Sequence, residues 1–285
     1  MDKLVPTRER FTYEEGEIEV EHFHRYELAK PLAKGKRVLD IASGEGYGSN
    51  LLSQAADHVT GVDISKECVE YANRTYGSAK LEFKHGEAAS IPMPDASVGM
   101  VVSFETIEHH DQHDKMLQEI RRVLTPGGVL VISSPDKKNY SDVPGFQNEY
   151  HVKELYFGEF KELITKYFQH SQFYFQRMVK GSLVLPEKDK GSEFVVLAKK
   201  SGQELQIERK GFEPLYEICV ASDGEVPVLG SSLFDAEQIL REEFRKLLET
   251  EQAKYWNVVG SPTWKVGNAV LKPFKWFRGL VRSDG

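Results

Sequence analysis

The chain has 285 residues, of which 40% are hydrophobic, and a formal net charge of −7. This length allows one α/β domain with a sizeable core plus an appendage. The acidic balance argues against a general nucleic-acid binder, although it permits a local basic patch. Two cysteines far apart in sequence, Cys68 and Cys219, indicate neither a disulfide framework nor a structural metal site.

The N-terminal segment lacks the apolar core of a signal peptide, and no stretch of about 18 apolar residues occurs in the sequence. We therefore expect a cytoplasmic protein that is neither exported nor membrane-spanning. We expect no nucleic-acid partner.

Apolar runs of strand length alternate with helix-like stretches from residue 36 to about residue 135. Such alternation is typical of a parallel sheet covered by helices. LTPGG, before the last of these strands, predicts a helix stop followed by a turn. The predicted strands are RVLDIA, HVTGVD, LEFKHG, VGMVVSFE and GGVLVISSP, and the predicted helices are GSNLLSQAA, SKECVEYANRTY and HDKMLQEIRRVL.

Beyond residue 135 a polar loop leads into the predicted helix VKELYFGEFKELITKYF, and SQFYFQRMVKGSLVL predicts a sixth strand. Two segments compete for an antiparallel seventh strand, residues 193–200 and residues 214–222. We favour the second and place the first in an added hairpin. FDAEQILREEFRKLLETEQAKYW predicts a long amphipathic helix, with apolar residues at 239, 240, 244, 247 and 248, that packs on the domain or mediates self-association.

These elements predict an α/β fold class: a Rossmann-like, seven-stranded, mostly parallel sheet with helices on both faces, plus a C-terminal helical extension. The predicted organisation is an N-terminal cap segment over residues 1–35 and the α/β domain over residues 36–225. An amphipathic helix and a basic, aromatic tail follow over residues 226–285.

A glycine loop follows the first predicted strand in VLDIASGEGYGS, residues 38–49. At the carboxyl end of a parallel strand such a loop lets backbone amides approach a ligand closely. A dinucleotide fingerprint would need a third glycine at position 49, which is Ser49, and Asp40 inside the strand end is foreign to that fingerprint. A nucleoside with a cationic amino-acid tail suits this loop better, because Asp40 can face its ammonium group while Gly44 and Gly46 leave room for the chain.

A second acid supports this choice of ligand. Asp63 ends the second predicted strand, 19 residues beyond Gly44, where a carboxylate can accept hydrogen bonds from both ribose hydroxyls. We therefore predict S-adenosylmethionine as the cofactor.

Four ordered motifs, VLDIASGEG, GVDIS, GEAASIPMPDAS and LTPGGVLVISSP, resemble those of class I S-adenosylmethionine-dependent methyltransferases between about residues 36 and 135. The resemblance implies that Gly44 and Gly46 line the methionine and ribose, and that Asp63 binds the ribose. The other cofactor contacts that it implies are Asp40, Ala42, Ile64, Glu87, Ala88, Phe104 and Glu105, with Glu87 and Ala88 beside the adenine.

A narrower resemblance rests on RERF, EHFHRY, IASGEGYGS, NEYHVKEL and PLYEICVASD. These motifs are similar to those of methyltransferases that accompany bacterial O-antigen and capsule synthesis. The resemblance implies an acceptor that is a sugar hydroxyl or a terminal phosphate. In EHFHRY, His22, Arg25 and Tyr26 either close over the methionine carboxylate or pack as a helix face.

The chemistry is expected after the fourth strand, in SFETIEHHDQH. A sugar hydroxyl is a poor nucleophile that needs a base near neutral pKa or a divalent cation. Glu105, Glu108 and His109 have a spacing that one helical turn would gather near the sulfonium. His110 and His113 are expected on the surface of the following helix.

The same Glu-x-x-Glu-His pattern is similar to that of small-RNA 2′-O-methyltransferases, in which two acids and two histidines hold Mg²⁺ or Mn²⁺. The resemblance implies Glu105, Glu108, His109 and a later histidine, His151, as metal candidates. Alternatively, the pattern serves without a metal, with Glu105 touching the cofactor and Glu108 bracing the helix. The catalytic candidates in either case are His109, Glu108 and His151.

Three functions stay open at this point: an O-methyltransferase of a glycan or glycan phosphate, a methyltransferase of a small metabolite such as a quinone precursor, and a non-catalytic cofactor-binding module.

The C-terminal tail adds a candidate partner. Basic residues mixed with aromatic ones suit an anionic membrane surface at the inner face of the membrane; packing onto the domain or onto a second copy is the alternative. They are Lys265, Lys272, Lys275, Arg278 and Arg282, interleaved with Trp264, Phe274, Trp276 and Phe277.

Overall fold

The computed structural model describes residues 13–178, 181–187, 193–198, 206–211, 213–235, 237–267 and 269. Its helices are α1 (Tyr13–Ala29), α2 (Tyr47–Ser53), α3 (Lys66–Tyr76), α4 (His113–Val123), α5 (Phe157–Tyr167) and α6 (Glu237–Gly260). Its first strands are β1 (Arg37–Ile41), β2 (His58–Asp63), β3 (Leu81–His85), β4 (Val98–Ser103), β5 (Leu124–Pro135) and β6 (His170–Met178). The others are β7 (Gly181–Pro186), β8 (Glu193–Ala198), β9 (Gln206–Gly211), β10 (Tyr216–Ser222) and β11 (Ser232–Asp235).

The main sheet has the strand order β11-β7-β6-β10-β5-β4-β1-β2-β3. Strands β1 to β5 pair in parallel, and β10 lies antiparallel between β5 and β6. Seven of these strands, β1 to β6 with β10, form the mostly parallel sheet that the sequence predicts, so that fold class is confirmed. Strands β7 and β11 lengthen the sheet at one edge.

The predicted choice for the seventh strand is also confirmed. Residues 216–222 form β10 inside the main sheet, and β8 pairs with β9 in a separate two-stranded sheet. The single predicted sixth strand is wrong, because β6 turns back into the antiparallel β7. Gly181 opens β7, and a glycine inside an apolar pattern is a turn signal that the prediction overlooked.

Helix α5 begins at Phe157, later than the sequence predicts. The Glu159 carboxylate accepts a hydrogen bond from the Tyr156 N–H, which fixes the start of the helix. The preceding residues are held elsewhere, since the N–H groups of Val152 and Lys153 bind the carbonyl of Glu108. This attachment draws the loop after β5 towards the end of β4.

Both faces of the sheet carry a hydrophobic core. One core packs α4 and α5 through residues such as Leu117 and Phe160, and the other packs α1, α2 and α3 through residues such as Leu52 and Ala72. The chain runs from β1 outwards to β3 and then returns to β4 on the other side of β1. The crevice at the carboxyl ends of β1 and β4 is therefore the expected ligand site.

The predicted extension is present in part. Helix α6 packs against α1, and residues 262–267 are helical beyond it. Most of the basic tail, including Lys272, Lys275, Arg278 and Arg282, lies outside the described residues, as do residues 1–12. Among the helices that the structure describes, none combines the length and apolarity that crossing a bilayer requires. The predicted boundaries at residues 35 and 225 stay predictions.

Candidate functional site

The glycine loop lies at the carboxyl end of β1 with three positive φ angles, 59° at Ala42, 52° at Gly44 and 89° at Gly46. A Cβ added at Gly44 would meet no atom within 4 Å, so space for a ligand lies beside this residue. A Cβ at Gly46 would lie 2.6 Å from Phe83 Cζ, so packing itself demands glycine there. Ala42 adopts a left-handed conformation that is costly for a non-glycine residue, as strained residues at functional sites often do.

The Asp63 carboxylate faces the same loop from the end of β2. Its Oδ2 accepts from the Gly44 N–H at 2.8 Å, and its Oδ1 accepts from the Ser65 N–H at 2.8 Å. These two bonds fix the carboxylate but leave each oxygen a further lone pair, which a ribose hydroxyl can use. Ile64 beside it is exposed.

The predicted adenine contacts lie on the adjacent strand. The loop with Glu87 and Ala88 follows β3, and its Gly86 N–H binds the Asp63 carbonyl. The loop thus stands next to Ile64, and the arrangement fits a nucleoside lying across the ends of β2 and β3.

Asp40 has a structural role in this site. It is fully buried; Tyr26 Oη–H donates to its carboxylate from 3.2 Å, and Ser49 Oγ–H donates from 2.6 Å. Burial raises its pKa to about 7, although the bonds from Ser49 and Tyr26 lower it. The carboxyl group joins α1, β1 and α2 behind the loop, and the expectation that it faces the ammonium group stays a prediction.

Phe104 and Glu105 follow β4 at the centre of the crevice. Phe104 packs edge-on against Tyr26, with ring centroids 5.0 Å apart, as the packing alternative for that helix face expects. Glu105, with φ 50°, accepts from Ser133 Oγ–H at 2.6 Å. Arg25 is fully buried near Glu105, with its Nη1 at 3.9 Å from Oε1, and donates to Gln176 at 2.6 Å.

The structure brings together Glu108, His109 and His151. One potential ligand atom from each lies within 4.8 Å of the others. Glu108 and His109 lie in a 3₁₀ turn after β4, and His151 arrives on the loop after β5. Glu105 is not part of this group because its carboxylate is bound to Ser133. The predicted helical turn therefore gathers only the last two of its three residues.

Hydrogen bonds determine which nitrogen of each imidazole carries the proton. His109 Nδ1 lies 2.9 Å from the Tyr150 carbonyl, which can only accept, so neutral His109 is protonated at Nδ1. His151 Nδ1 lies 2.6 Å from the Glu154 carboxylate, and its Nε2 accepts from Asn148 at 3.1 Å. His109 consequently keeps a free lone pair on Nε2, whereas the lone pair of His151 Nε2 accepts from Asn148.

The Glu108 carboxyl group is buried in this cluster. Its Oε1 lies 3.9 Å from His109 Nε2, and within the described residues its Oε2 has no hydrogen-bond partner. Burial, with Glu105 nearby, raises the pKa of Glu108 well above its usual value. Burial lowers the pKa of His109, against the bond to the Tyr150 carbonyl that raises it.

His151 of this cluster lines a cleft of ≈ 770 Å³ formed by the loop after β5. Phe146 lies half-exposed beside it. The Tyr140 ring stacks on His151, with centroids 5.4 Å apart, and burial raises the pKa of Tyr140. Most lining residues are polar or charged: Lys137, Ser141, Asp142, Gln147, Asn148, Glu149, Lys153 and Glu154.

The sequence reasoning missed several of these groups. Ser133 lies within an apolar strand pattern and gives no signal, whereas Asn148 and Glu154 stand in NEYHVKEL, the motif that also holds His151. His113, expected on the surface, is buried, because it starts α4 and its Nε2 bonds to the His110 carbonyl at 2.7 Å. His110 is partly buried and lies 3.2 Å from the Met116 sulfur.

The fold, the glycine loop and the fixed acid at the end of β2 define the class I S-adenosylmethionine-dependent methyltransferase fold. The comparison with protein families agrees, since residues 39–132 match the model of the methyltransferase domain. This stretch is therefore similar to a methyltransferase domain, and S-adenosylmethionine is the cofactor of that class. The open space at Gly44 and the free lone pairs of Asp63 fit that cofactor.

The chain spans about half the length of the curated relatives that it matches. A probable S-adenosylmethionine-dependent methyltransferase of Mycolicibacterium smegmatis is 38% identical over 133 residues, 46% of this chain and 50% of that protein. One of Mycobacterium tuberculosis is 33% identical over 168 residues, 56% of this chain and 60% of that protein.

The names of two other relatives state the methyl acceptor. A fatty-acid O-methyltransferase of Mycolicibacterium smegmatis is 31% identical over 116 residues, 40% of this chain and 42% of that protein. A demethylmenaquinone methyltransferase of Clavibacter sepedonicus is 35% identical over 99 residues, 34% of this chain and 40% of that protein.

Solved structures agree in fold. The YcgJ protein of Bacillus subtilis superposes with a TM-score of 0.53 at 19% identity, covering 72% of this chain and 100% of that one. A methyltransferase of Thermotoga maritima gives a TM-score of 0.51 at 16% identity, covering 73% of this chain and 91% of that one.

Proposed function

We propose that this chain is an S-adenosylmethionine-dependent O-methyltransferase whose acceptor is a sugar hydroxyl of a cell-surface glycan or its precursor. The observation that carries the proposal is the unprotonated Nε2 of His109, which the bond from Nδ1 to the Tyr150 carbonyl fixes beside His151, a residue that lines a polar cleft. A terminal phosphate would already be anionic and need no base, so this histidine favours a hydroxyl acceptor.

The proposed chemistry is an in-line displacement. When bound, S-adenosylmethionine supplies an electrophilic methyl group on its sulfonium. The acceptor oxygen forms the new bond to the methyl carbon as the carbon–sulfur bond breaks, and the hydroxyl proton passes to His109 Nε2. Burial keeps the pKa of His109 low, so the imidazole is in its basic form at neutral pH. Asp63 and the glycine loop align the donor.

The polarity of the cleft supports a sugar over an apolar acceptor. A fatty acyl or isoprenoid chain in it would displace water from charged and amide groups such as Glu149 and Gln147 without offering them hydrogen bonds. A sugar offers hydroxyls to these groups, and the half-exposed ring of Phe146 can cover an apolar sugar face.

The named relatives supply the competing acceptors for the experiment. Labelled S-adenosylmethionine is incubated with the protein and with matched panels of nucleotide sugars and oligosaccharides, fatty acids, and demethylated quinones. The proposal expects label on a sugar oxygen. Label confined to fatty acids or quinones would replace the glycan with a small metabolite, and S-adenosylmethionine binding without transfer to any panel would favour a regulatory module.

A divalent cation is the second candidate, and the unpartnered, buried Oε2 of Glu108 favours it. Glu108, His109 and His151 fit as ligands, because each Nδ1 is held by a carbonyl or carboxylate and each Nε2 is an acceptor, although a cation would have to displace the Asn148 amide from His151 Nε2. Two imidazoles and one carboxylate suit Mn²⁺ better than Mg²⁺, which prefers oxygen ligands. A bound cation would lower the pKa of the acceptor hydroxyl.

Two measurements separate the cation from the histidine base. Paramagnetic resonance of Mn²⁺ titrated into the protein measures binding of the cation independently of activity. Turnover in excess chelator shows whether the reaction requires the cation. The proposal of a histidine base expects full turnover in chelator. Loss of turnover that Mn²⁺ restores, together with tight Mn²⁺ binding that Glu108→Gln abolishes, would assign His109 as a ligand instead.

A further inference from the structure

Helix α6 carries an apolar stripe on its exposed surface. The residues of this α6 stripe are Phe244, Leu247, Leu248, Tyr255 and Val258. At 3.6 residues per turn they fall within an arc of about 100°. Each of these residues is 46–59% exposed to solvent.

Such an arc is the width of the face that an amphipathic helix normally buries against a core. Here α6 contacts α1, and the residues of the stripe nonetheless stay about half-exposed in the described part of the chain. Soluble monomers seldom expose a contiguous apolar patch of more than a few hundred Å². The stripe is therefore the kind of surface that marks an interface.

The exposed area matches what a stable interface requires. Taking about 150 to 250 Å² for each large apolar residue, the α6 stripe offers roughly 500 Å². Two such stripes packed against each other would bury roughly 1,000 Å² in total, which is about the lower limit for a specific interface.

The charges of α6 favour a protein over a membrane surface as the partner of the stripe. Helices that bind anionic membranes are rich in Lys and Arg on the polar face, whereas α6 carries both signs in nearly equal number. Glu251 lies within the stripe and pairs with Lys254 at 2.7 Å, which a lipid interior would disfavour. A protein with mixed charge suits this surface. The acids are Glu237, Glu242, Glu243, Glu249 and Glu251, and the bases are Arg241, Arg245, Lys246 and Lys254.

We propose that a second copy of this chain docks on the α6 stripe, so that two α6 helices pack together about a two-fold axis. The same patch then serves both subunits, as a two-fold interface requires. Because both signs of charge occur on α6, acidic residues of one copy can pair with basic residues of the other. This inference stands independently of the proposed methyltransferase activity.

The test is the molar mass of the full chain in solution by light scattering after size exclusion. The wild type is expected at twice 32.4 kDa. Leu248→Glu introduces a charge into the stripe and is expected to reduce the mass to that of one chain. Because Leu248 is exposed, the variant keeps its fold, which circular dichroism checks.

The matched control is Lys246→Glu, which adds negative charge to an exposed position on the opposite side of α6. It is expected to remain a dimer. A monomeric wild type at every accessible concentration would overturn the proposal, and so would a dimer that survives Leu248→Glu. A monomer that floats with liposomes only while Leu248 is intact would assign the stripe to a membrane and overturn it as well.

Discussion

The imidazoles of His109 and His151 meet edge to face, with ring centroids 5.1 Å apart. One follows β4 and the other lies on the loop after β5, and the loop is tied back by the Val152 and Lys153 N–H groups, which bind the Glu108 carbonyl. Because its Nδ1 is engaged by the Tyr150 carbonyl, His109 is left with a free lone pair on Nε2, whereas His151 Nε2 accepts from Asn148. The account of catalysis rests on this pair.

Replacing His109 with alanine should slow turnover by about 10²- to 10⁴-fold while S-adenosylmethionine affinity stays nearly constant. The base acts unprotonated, and burial lowers its pKa below the usual 6.5. In the wild type, kcat/KM should therefore fall as pH drops through a midpoint below 6.5. The measurement is the pH profile of wild type and variant, with His110→Ala as the control that keeps the profile. A wild-type midpoint above 6.5 would be inconsistent with the proposed base.

Asp63→Ala should weaken S-adenosylmethionine binding by about 1.5 to 3 kcal/mol for each lost bond to a ribose hydroxyl, because bonds to a charged acceptor are strong. Asp63→Asn keeps one acceptor oxygen and should fall between the alanine variant and the wild type. Calorimetric titration measures the affinities. Asp57→Ala, at an exposed position just before β2, is the control. Equal affinity of the Asp57 and Asp63 alanine variants would remove Asp63 from the ribose site.

The buried Asp40 should make stability depend on pH. Its pKa is about 7 in the fold against 3.8 for an aspartate in water, because burial penalises its charge. Between these values the folded protein holds a proton that the unfolded chain releases. The contribution of Asp40 to the free energy of unfolding therefore falls as pH rises, by up to about 1.4 kcal/mol per pH unit, and levels off above pH 7.

Asp40→Asn removes this titration. In urea unfolding, the free energy of unfolding of the variant should therefore increase relative to that of the wild type as pH rises from about 4 to about 7. Asparagine can still accept a hydrogen bond from Ser49 or Tyr26. Parallel stability curves for the two proteins across this range would show that the carboxyl is ionised throughout and contradict the raised pKa.

The basic, aromatic tail is proposed to touch an anionic membrane surface, where each cation adds about 1 kcal/mol of attraction. In the full chain, reversing the charges of Lys272, Lys275 and Arg278 should abolish flotation with anionic liposomes at low salt. Reversing Lys246, Lys254 and Arg245 in α6 is the control and should leave flotation unchanged. A wild type that stays with the soluble fraction at low salt would instead support a tail packed on protein.

Much of the fold could be predicted from the pattern of apolar residues along the sequence. The alternation between residues 36 and 135 and the position of β10 were predictable, because strands buried on both faces have uninterrupted apolar runs. The boundary between β6 and β7 was not, since both are apolar and only Gly181 marks the reversal. The start of α5 was missed because the Val152 and Lys153 N–H groups bind a carbonyl distant in sequence.

The candidate site divides in the same way. Gly44 and Asp63 were predictable from spacing, since consecutive parallel strands bring their carboxyl ends to one edge. The bond from Ser133 to Glu105 was not, because a serine in a buried strand has no sequence signal for its partner. The contact between His109 and His151 depends on a loop whose course is set by tertiary hydrogen bonds, so only a resemblance suggested it.

The most direct test of the account is the position of the transferred methyl group. The full chain is incubated with methyl-labelled S-adenosylmethionine and a sugar acceptor in excess chelator, and the product is analysed by nuclear magnetic resonance. The account predicts a labelled methyl group on a sugar oxygen, formed by the wild type and His110→Ala and nearly absent with His109→Ala. A labelled product from His109→Ala at the wild-type rate, or a methyl group on an apolar acceptor alone, would contradict it.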